Sequence, residues 1–134
     1  MKYITATNRE FLNIYKTLVE TRTAKGVAYA KAVVKNCEVI KNHLEPIEKE
    51  ATPTKEFMEL SLEAQKFIEA EDGDGLKKFE EDNVALINQR KEQLELVNNK
   101  LSETATLELR PISEKHLPED ITAEQLEMLL KITE

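Results

Sequence analysis

The stretch from Leu76 to Glu103 contains neither Gly nor Pro, and most of its positions hold residues of high helix propensity. Ile87, Leu94 and Leu101 recur at every seventh position, which gives a helix one apolar stripe suited to lie along another helix. At about 1.5 Å per residue such a helix is roughly 40 Å long, which exceeds the needs of a small domain. The sequence therefore predicts one long amphipathic helix, and the three stripe residues are candidate contacts with another molecule.

Two helices are predicted in about the first fifty residues from apolar residues at helical spacing. A capping box formed by Thr7 and Glu10 starts the first helix, because its side chains satisfy backbone N–H groups that a helix start leaves unpaired. The second helix runs from Val27 to about Glu50. Pro46 is expected to kink this helix or end it early, since proline removes an interior N–H and clashes one turn back.

A third helix is predicted after residues 52–54, Thr-Pro-Thr, and it ends by residue 71. Residues 72–75, Asp-Gly-Asp-Gly, then hold two of the three glycines of the chain. Such a segment favours a tight turn. We therefore expect the third helix and the long helix to form an antiparallel hairpin, with the second helix beside it.

The two ends of the chain predict short strands and a closing helix. Residues 2–5 are rich in β-branched residues, while Leu107 and Leu109 alternate with polar residues. We expect these two strands to pair, because a lone strand leaves its backbone groups unsatisfied. Thr122 and Gln125 form a second capping box, which starts a short last helix.

The composition supports a mainly helical fold. Only three Gly and four Pro occur among 134 residues, of which 40% are apolar and 34% are charged. We predict one domain over residues 1–134, of the mainly α type of α+β fold. Its expected architecture is an antiparallel bundle of three longer helices with short terminal helices and a two-stranded sheet.

The net charge of −7 is unevenly distributed along the chain. Residues 1–41 hold eight Lys or Arg against three Glu, a net of +5, whereas residues 42–134 hold eleven against twenty-three acidic residues, a net of −12. The overall sign argues against nonspecific nucleic-acid binding. Either the two parts complement each other, or the basic part meets an acidic partner. The candidate contact residues are Arg22, Lys25, Lys31 and Lys35. A solvated or intramolecularly paired face is the alternative.

The acidic turn is the best candidate for a metal site. In an EF-hand reading with Gly75 at the sixth position, three acidic residues fall at ligand positions: Asp72, Asp74 and Glu81. Ala70 stands where the first Asp ligand is required, and Lys77 stands where an apolar residue is expected. We therefore interpret the segment as a turn between helices and expect no metal.

No residue pattern indicates catalysis or a bound cofactor. His43 and His116 lack the ligand spacing of a metal site, and both are expected on the surface. The single Cys37 lies in the apolar phase of the second helix, which favours a buried structural thiol. The chain has no nucleophile elbow, no Gly-rich phosphate loop and no Cys pair. We expect no enzymatic activity.

No apolar run is long enough to cross a membrane, and the N-terminal residues lack the apolar core of a signal peptide. We therefore expect neither membrane insertion nor secretion.

The segment REFLNIYKTLVE after the first strand and the closing segment LELRPISEKHLPEDITAEQLEMLLKI resemble small proteins encoded in bacteriophage genomes, which belong to families of unknown function. The resemblance covers the two ends of the chain better than its middle. It implies synthesis in the cytoplasm of an infected bacterium and a role in the virion, in assembly or in host interaction. It implies no functional residue.

Two functions from different classes follow as hypotheses. The first is a non-enzymatic interaction protein, a structural or assembly component of a phage that binds copies of itself or another protein through a helix face. The second is an acidic inhibitor of a host or defence protein, in which carboxylates mimic nucleic acid.

Overall fold

The computed structural model describes all 134 residues and confirms a mainly helical α+β architecture. The elements in chain order are β1 (Lys2–Thr7), α1 (Asn8–Glu20), α2 (Val27–Ala51), α3 (Lys55–Glu69), α4 (Gly73–Asp82), α5 (Val84–Ser102), β2 (Thr104–Leu109) and α6 (Ala123–Leu130). A single turn of 3-10 helix at Glu114–His116 lies between β2 and α6.

The predicted pairing of the two strands is confirmed. β1 and β2 are antiparallel, in a register that runs from Lys2 opposite Leu109 to Thr7 opposite Thr104. The hydroxyl groups of Thr5 and Thr106 lie 2.7 Å apart across the exposed side of the sheet. These cross-strand contacts bring the start of the chain beside a segment about a hundred residues later in the sequence.

The chain divides into two compact units, and we refer to them by their content. The sheet unit comprises residues 1–46 and 100–134, and the helical unit comprises residues 47–99. The boundaries fall inside α2 and inside α5, so each of these helices contributes residues to both units. A single folding domain stays a prediction.

The sheet unit contains most of the buried apolar residues. α1 and α6 pack against each other, and α1 also contacts the strand that precedes it. The completely buried apolar side chains are those of Phe11, Ile14, Leu18, Ile40, Leu109, Leu129 and Ile132. After β2, the backbone N–H of Ile112 donates to the carbonyl of Ile132 at 3.0 Å, which attaches the segment after α6 to the same core.

Both predicted capping residues start helices, but only the second capping box is complete. The Thr7 hydroxyl accepts from the backbone N–H of Glu10 at 3.1 Å, and it donates to the Glu10 carboxylate at 3.3 Å. At α6 the exchange is reciprocal, with both bonds between Thr122 and Gln125 measuring 3.1 Å. These contacts span only three residues, so local sequence is sufficient to predict them.

The prediction of one long helix from Leu76 to Glu103 is wrong at Asn83. The helix is interrupted there, and α4 and α5 lie on either side of this residue. The Asn83 side-chain amide donates to the carbonyl of Phe79 at 2.8 Å, and this local bond competes with regular helix geometry. α5 alone has 19 residues and is therefore about 28 Å long.

The turn predicted at residues 72–75 is also displaced. The backbone reverses at Glu71, which has a left-handed φ of 54°, and the N–H of Asp72 donates to the carbonyl of Phe67 at 3.0 Å. This arrangement is a Schellman motif, in which the residue after the helix cap takes the left-handed conformation. The two glycines instead lie in the first turn of α4, because the Asp72 carboxylate accepts from the N–H of Gly75 at 2.9 Å and caps that helix.

Pro46 does not end α2, which continues to Ala51. Proline removes the hydrogen bond to the carbonyl of Asn42, one turn earlier. Both residues are exposed. Water can therefore satisfy this carbonyl, and the helix tolerates the proline.

A buried amide connects α2 to the end of β2. The side-chain N–H of Asn36 donates to the Arg110 carbonyl at 2.9 Å, and its oxygen accepts from the Arg110 N–H at 2.7 Å. Asn36 has no solvent-exposed surface. One side chain therefore satisfies both backbone groups of the residue that follows the strand.

We predict that Asn36→Ala lowers the free energy of unfolding by about 1–3 kcal/mol, because it leaves the N–H and carbonyl of Arg110 without partners. Urea unfolding followed by circular dichroism measures the change. Asn42→Ala is the matched control on the exposed side of the same helix. Equal effects of the two substitutions would contradict the importance of the Asn36 pair.

Candidate interaction surfaces

The basic residues predicted as contact candidates all lie in one segment of the sheet unit. Residues 21–37 contain four Lys or Arg and no Asp or Glu. Arg22 and Lys25 lie in the loop between α1 and α2, and Lys31 and Lys35 lie one turn apart on α2. All four are exposed, and none of their side chains makes a hydrogen bond or an ion pair within the chain. Their charge is therefore not compensated by a direct intramolecular contact.

Two exposed valines accompany the lysines on α2. Val27 and Val34 are 72% and 70% exposed. Together with Lys31 and Lys35 they follow the i, i+4, i+7, i+8 spacing that places residues on one side of a helix. We call these four residues the basic face. It combines positive charge with an apolar surface, and the opposite side of the helix is buried in the core.

A chain of hydrogen bonds fixes the start of α2 against the end of α1. The Tyr29 phenol is buried and lies 2.5 Å from the Thr21 hydroxyl, which itself donates to the Thr17 carbonyl at 2.8 Å. The phenol is therefore the donor to Thr21. Gly26, with a φ of 121°, takes a backbone conformation that favours glycine immediately before the helix. These contacts hold the basic face in a fixed orientation on the sheet unit.

Burial raises the pKa of the Tyr29 phenol above its ordinary value of 10.0, and the hydrogen bond with Thr21 opposes part of this increase. Burial also raises the pKa of the Cys37 thiol above 9.0. Cys37 is half-buried rather than fully buried. A raised pKa reduces the thiolate fraction, so the cysteine is less nucleophilic than an ordinary exposed one.

The Ile87, Leu94 and Leu101 stripe does not lie at the centre of the packed side of α5. Ile87 and Leu101 are half-buried, and Leu94 is 45% exposed. The buried residue of α5 is Val97. The structure therefore places the stripe along the margin of the packed side, and Leu94 is its most accessible member.

The helical unit leaves much of its apolar surface uncovered. Only Leu60 and Val97 are buried in residues 47–99, whereas the sheet unit buries thirteen apolar residues. Six large apolar residues of the helical unit are exposed: Met58, Leu62, Ile68, Val84, Leu94 and Leu96. Met58 and Leu62 lie one turn apart on α3, on the side opposite Leu60. Met58 and Leu62 are four positions apart in the sequence, so helical spacing alone places them on one side of α3.

Arg90 and Gln93 of α5 make polar contacts that the sequence analysis missed. The Arg90 guanidinium donates to the Ala51 carbonyl and to the Gln93 side chain, both at 2.8 Å, and lies 5.7 Å from the centre of the Phe57 ring. Gln93 donates to the carbonyls of Glu50 and Thr52. The two side chains therefore satisfy carbonyls that the end of α2 leaves unpaired.

The acidic turn and the two histidines have identifiable structural surroundings. Asp72 caps α4, and no group of three or more His, Cys, Asp or Glu is arranged to hold a metal ion. His43 is half-buried, so the expectation of a surface position was wrong. Its Nε2 lies 2.7 Å from the side-chain oxygen of Asn8, and its ring meets Phe11 edge to face. His116 is exposed in the 3-10 turn.

Comparison with known protein families, with curated proteins and with solved structures finds no match to this chain. None of its helices combines the length and the apolar character needed to cross a membrane. The two surfaces of this chain that suit a binding role are the basic face and the apolar surface of the helical unit.

We predict that the Tyr29 phenol makes stability depend on alkaline pH. Its pKa is higher in the folded than in the unfolded chain, so its stabilising contribution is complete below about pH 10 and is lost as the pH rises through the folded pKa. Urea unfolding between neutral and alkaline pH should therefore show a steeper loss of stability for the wild type than for Tyr29→Phe. Parallel pH profiles would contradict this prediction.

Proposed function

We propose that this chain is a non-enzymatic protein–protein interaction module that serves as a structural or assembly component of a bacteriophage virion. The binding role is supported by the exposed apolar surface of the helical unit. The viral setting is supported by the resemblance of the two chain ends to small phage proteins. Under this proposal the protein acts in the cytoplasm of the infected bacterium or within the particle.

The exposed apolar side chains of the helical unit support a binding role, because helices normally bury their apolar side chains. A helix of a globular protein places its apolar side against the core and its polar side in water. α3 has apolar residues on both sides, with Leu60 buried on one side and Met58 and Leu62 exposed on the other. Clusters of exposed apolar residues on monomeric proteins often mark binding sites. We therefore assign the exposed side of α3 and the Leu94 region of α5 to partner contact.

We predict that Leu62→Lys and Leu94→Lys change the free energy of unfolding by no more than about 0.5 kcal/mol, because both side chains are already exposed. The same substitutions should reduce incorporation of the chain into purified particles of the encoding phage, measured by quantitative mass spectrometry. Leu60→Lys is the buried comparison and should destabilise the fold. Absence of the wild-type chain from the particles would overturn the virion role.

The second candidate is an acidic inhibitor of a host or defence protein that mimics nucleic acid. Charge distribution supports it: the helical unit holds seven Lys or Arg and fourteen Asp or Glu, a net of −7, while the sheet unit is neutral. The negative field of the molecule is therefore concentrated on residues 47–99, and such a surface suits a basic nucleic-acid cleft.

The inhibitor role predicts one-to-one binding to a nucleic-acid enzyme, with affinity that falls steeply as salt increases, because the contacts would be between exposed charges. Calorimetric titration at low and moderate salt measures both quantities. Glu80→Lys with Glu81→Lys should weaken such binding more than Glu119→Lys in the sheet unit. Tight binding that is independent of salt would exclude nucleic-acid mimicry.

A further inference from the structure

An open groove of about 360 Å³ lies within the helical unit, between α5 and the last turn of α2. Its lining residues are Glu50, Gln89, Glu92, Gln93 and Leu96. Leu96 is 61% exposed and supplies the apolar part of the lining. Two of the other residues carry carboxylates, and no Lys or Arg lines the groove. We call this feature the acidic groove.

The polar contacts of Gln93 fix the wall of the acidic groove. Its side-chain amide donates to the carbonyls of Glu50 and Thr52, and it accepts from Arg90. Hydrogen bonds therefore hold α5 against the end of α2. The groove consequently exists before any partner binds, which lowers the ordering cost of association.

The basic face of α2 has the complementary properties. Its Val27 and Val34 expose apolar surface, and its Lys31 and Lys35 lie one turn apart without an intramolecular ion pair. No acidic residue occurs in residues 21–37. The chain therefore carries an acidic groove that contains one exposed leucine and, elsewhere, a helix face with exposed valines and uncompensated lysines.

We propose that the acidic groove of one copy of this protein binds the basic face of α2 of a second copy. In this contact Val34 covers Leu96, and Lys31 and Lys35 approach the carboxylate of Glu92. The inference rests on the proposed function, because it names a second copy as one partner of the interaction module. A second copy is the partner that charge complementarity favours, because every copy carries both the acidic groove and the basic face.

The contact joins two different surfaces, so it is heterologous. Such contacts produce a ring when the rotation between copies closes and a filament when it does not, while a reciprocal pair of contacts produces a dimer. A single helix face in a groove buries less than the roughly 1,600 Å² of a standard stable interface. The assembly should therefore depend on protein concentration, and salt should weaken it because exposed ion pairs contribute.

Charge reversal and complementation test the contact. Sedimentation velocity at several protein concentrations should show wild-type species larger than the 15.4 kDa monomer, with more of them at low salt. Lys31→Glu with Lys35→Glu reverses the basic face, and Gln89→Lys with Glu92→Lys reverses the groove. Each double variant alone should be monomeric, with self-affinity reduced more than tenfold. Mixing the two variants should restore assembly, because each reversed surface then meets an oppositely charged one.

Lys77→Glu with Lys78→Glu is the matched control for the variant of the basic face. It replaces two exposed lysines of α4 by glutamates, so the change in charge is the same. It should assemble as the wild type does. Circular dichroism confirms that each variant is folded. A wild-type chain that stays monomeric under all conditions would overturn the self-contact, yet leave the interaction role with a different partner intact. Assembly of either double variant alone, or failure of the mixture to assemble, would also overturn it.

Discussion

The antiparallel pairing of β1 with β2 is the contact on which the sheet unit depends. It joins residues about a hundred positions apart, so its formation closes most of the chain into one loop. In the paired sheet Leu109 is completely buried, and the backbone of Arg110 bonds to the side-chain amide of Asn36. Asn8, at the start of α1, likewise donates to the Lys100 carbonyl at 2.8 Å. Each of these buried contacts requires the strands to be in register.

The helical unit is stabilised in a different way. Its helices contact one another through a few side chains, such as Phe67 and Phe79, whose ring centres are 5.3 Å apart. Arg90 adds hydrogen bonds and a position over the Phe57 ring. Because few apolar residues are buried there, many remain on the surface. The apolar side chains that this small core leaves exposed form the surface that we assign to binding.

Charge and apolar exposure together define the functional proposal. The net negative charge of the molecule lies on the helical unit, and the uncompensated positive charge lies on residues 21–37 of the sheet unit. Both regions also expose apolar side chains. Electrostatic attraction brings such surfaces together and sets their orientation, while apolar burial slows their separation. In the self-contact that we propose, a second copy of the chain supplies both properties.

Sequence by itself determined the features that depend on near neighbours in the chain. The Thr7 and Thr122 caps join residues three positions apart, and the alternation around Leu107 and Leu109 gave the second strand. Lys31 and Lys35 are four positions apart, so helical spacing places them on one side of α2. Local patterns are sufficient here because the interacting groups are within one or two turns of each other.

Only the tertiary structure decided which apolar and polar groups are covered. The stripe of Ile87, Leu94 and Leu101 met the pattern of a buried seam, yet Val97 is the buried residue of α5. The interruption at Asn83 follows from one side chain that bonds to its own backbone, a competition that helix propensity does not resolve. The roles of Asn36 and Arg90 depend on carbonyls 74 and 39 residues away. Such contacts are set by the arrangement of whole elements, because distant residues become neighbours only when the chain has folded.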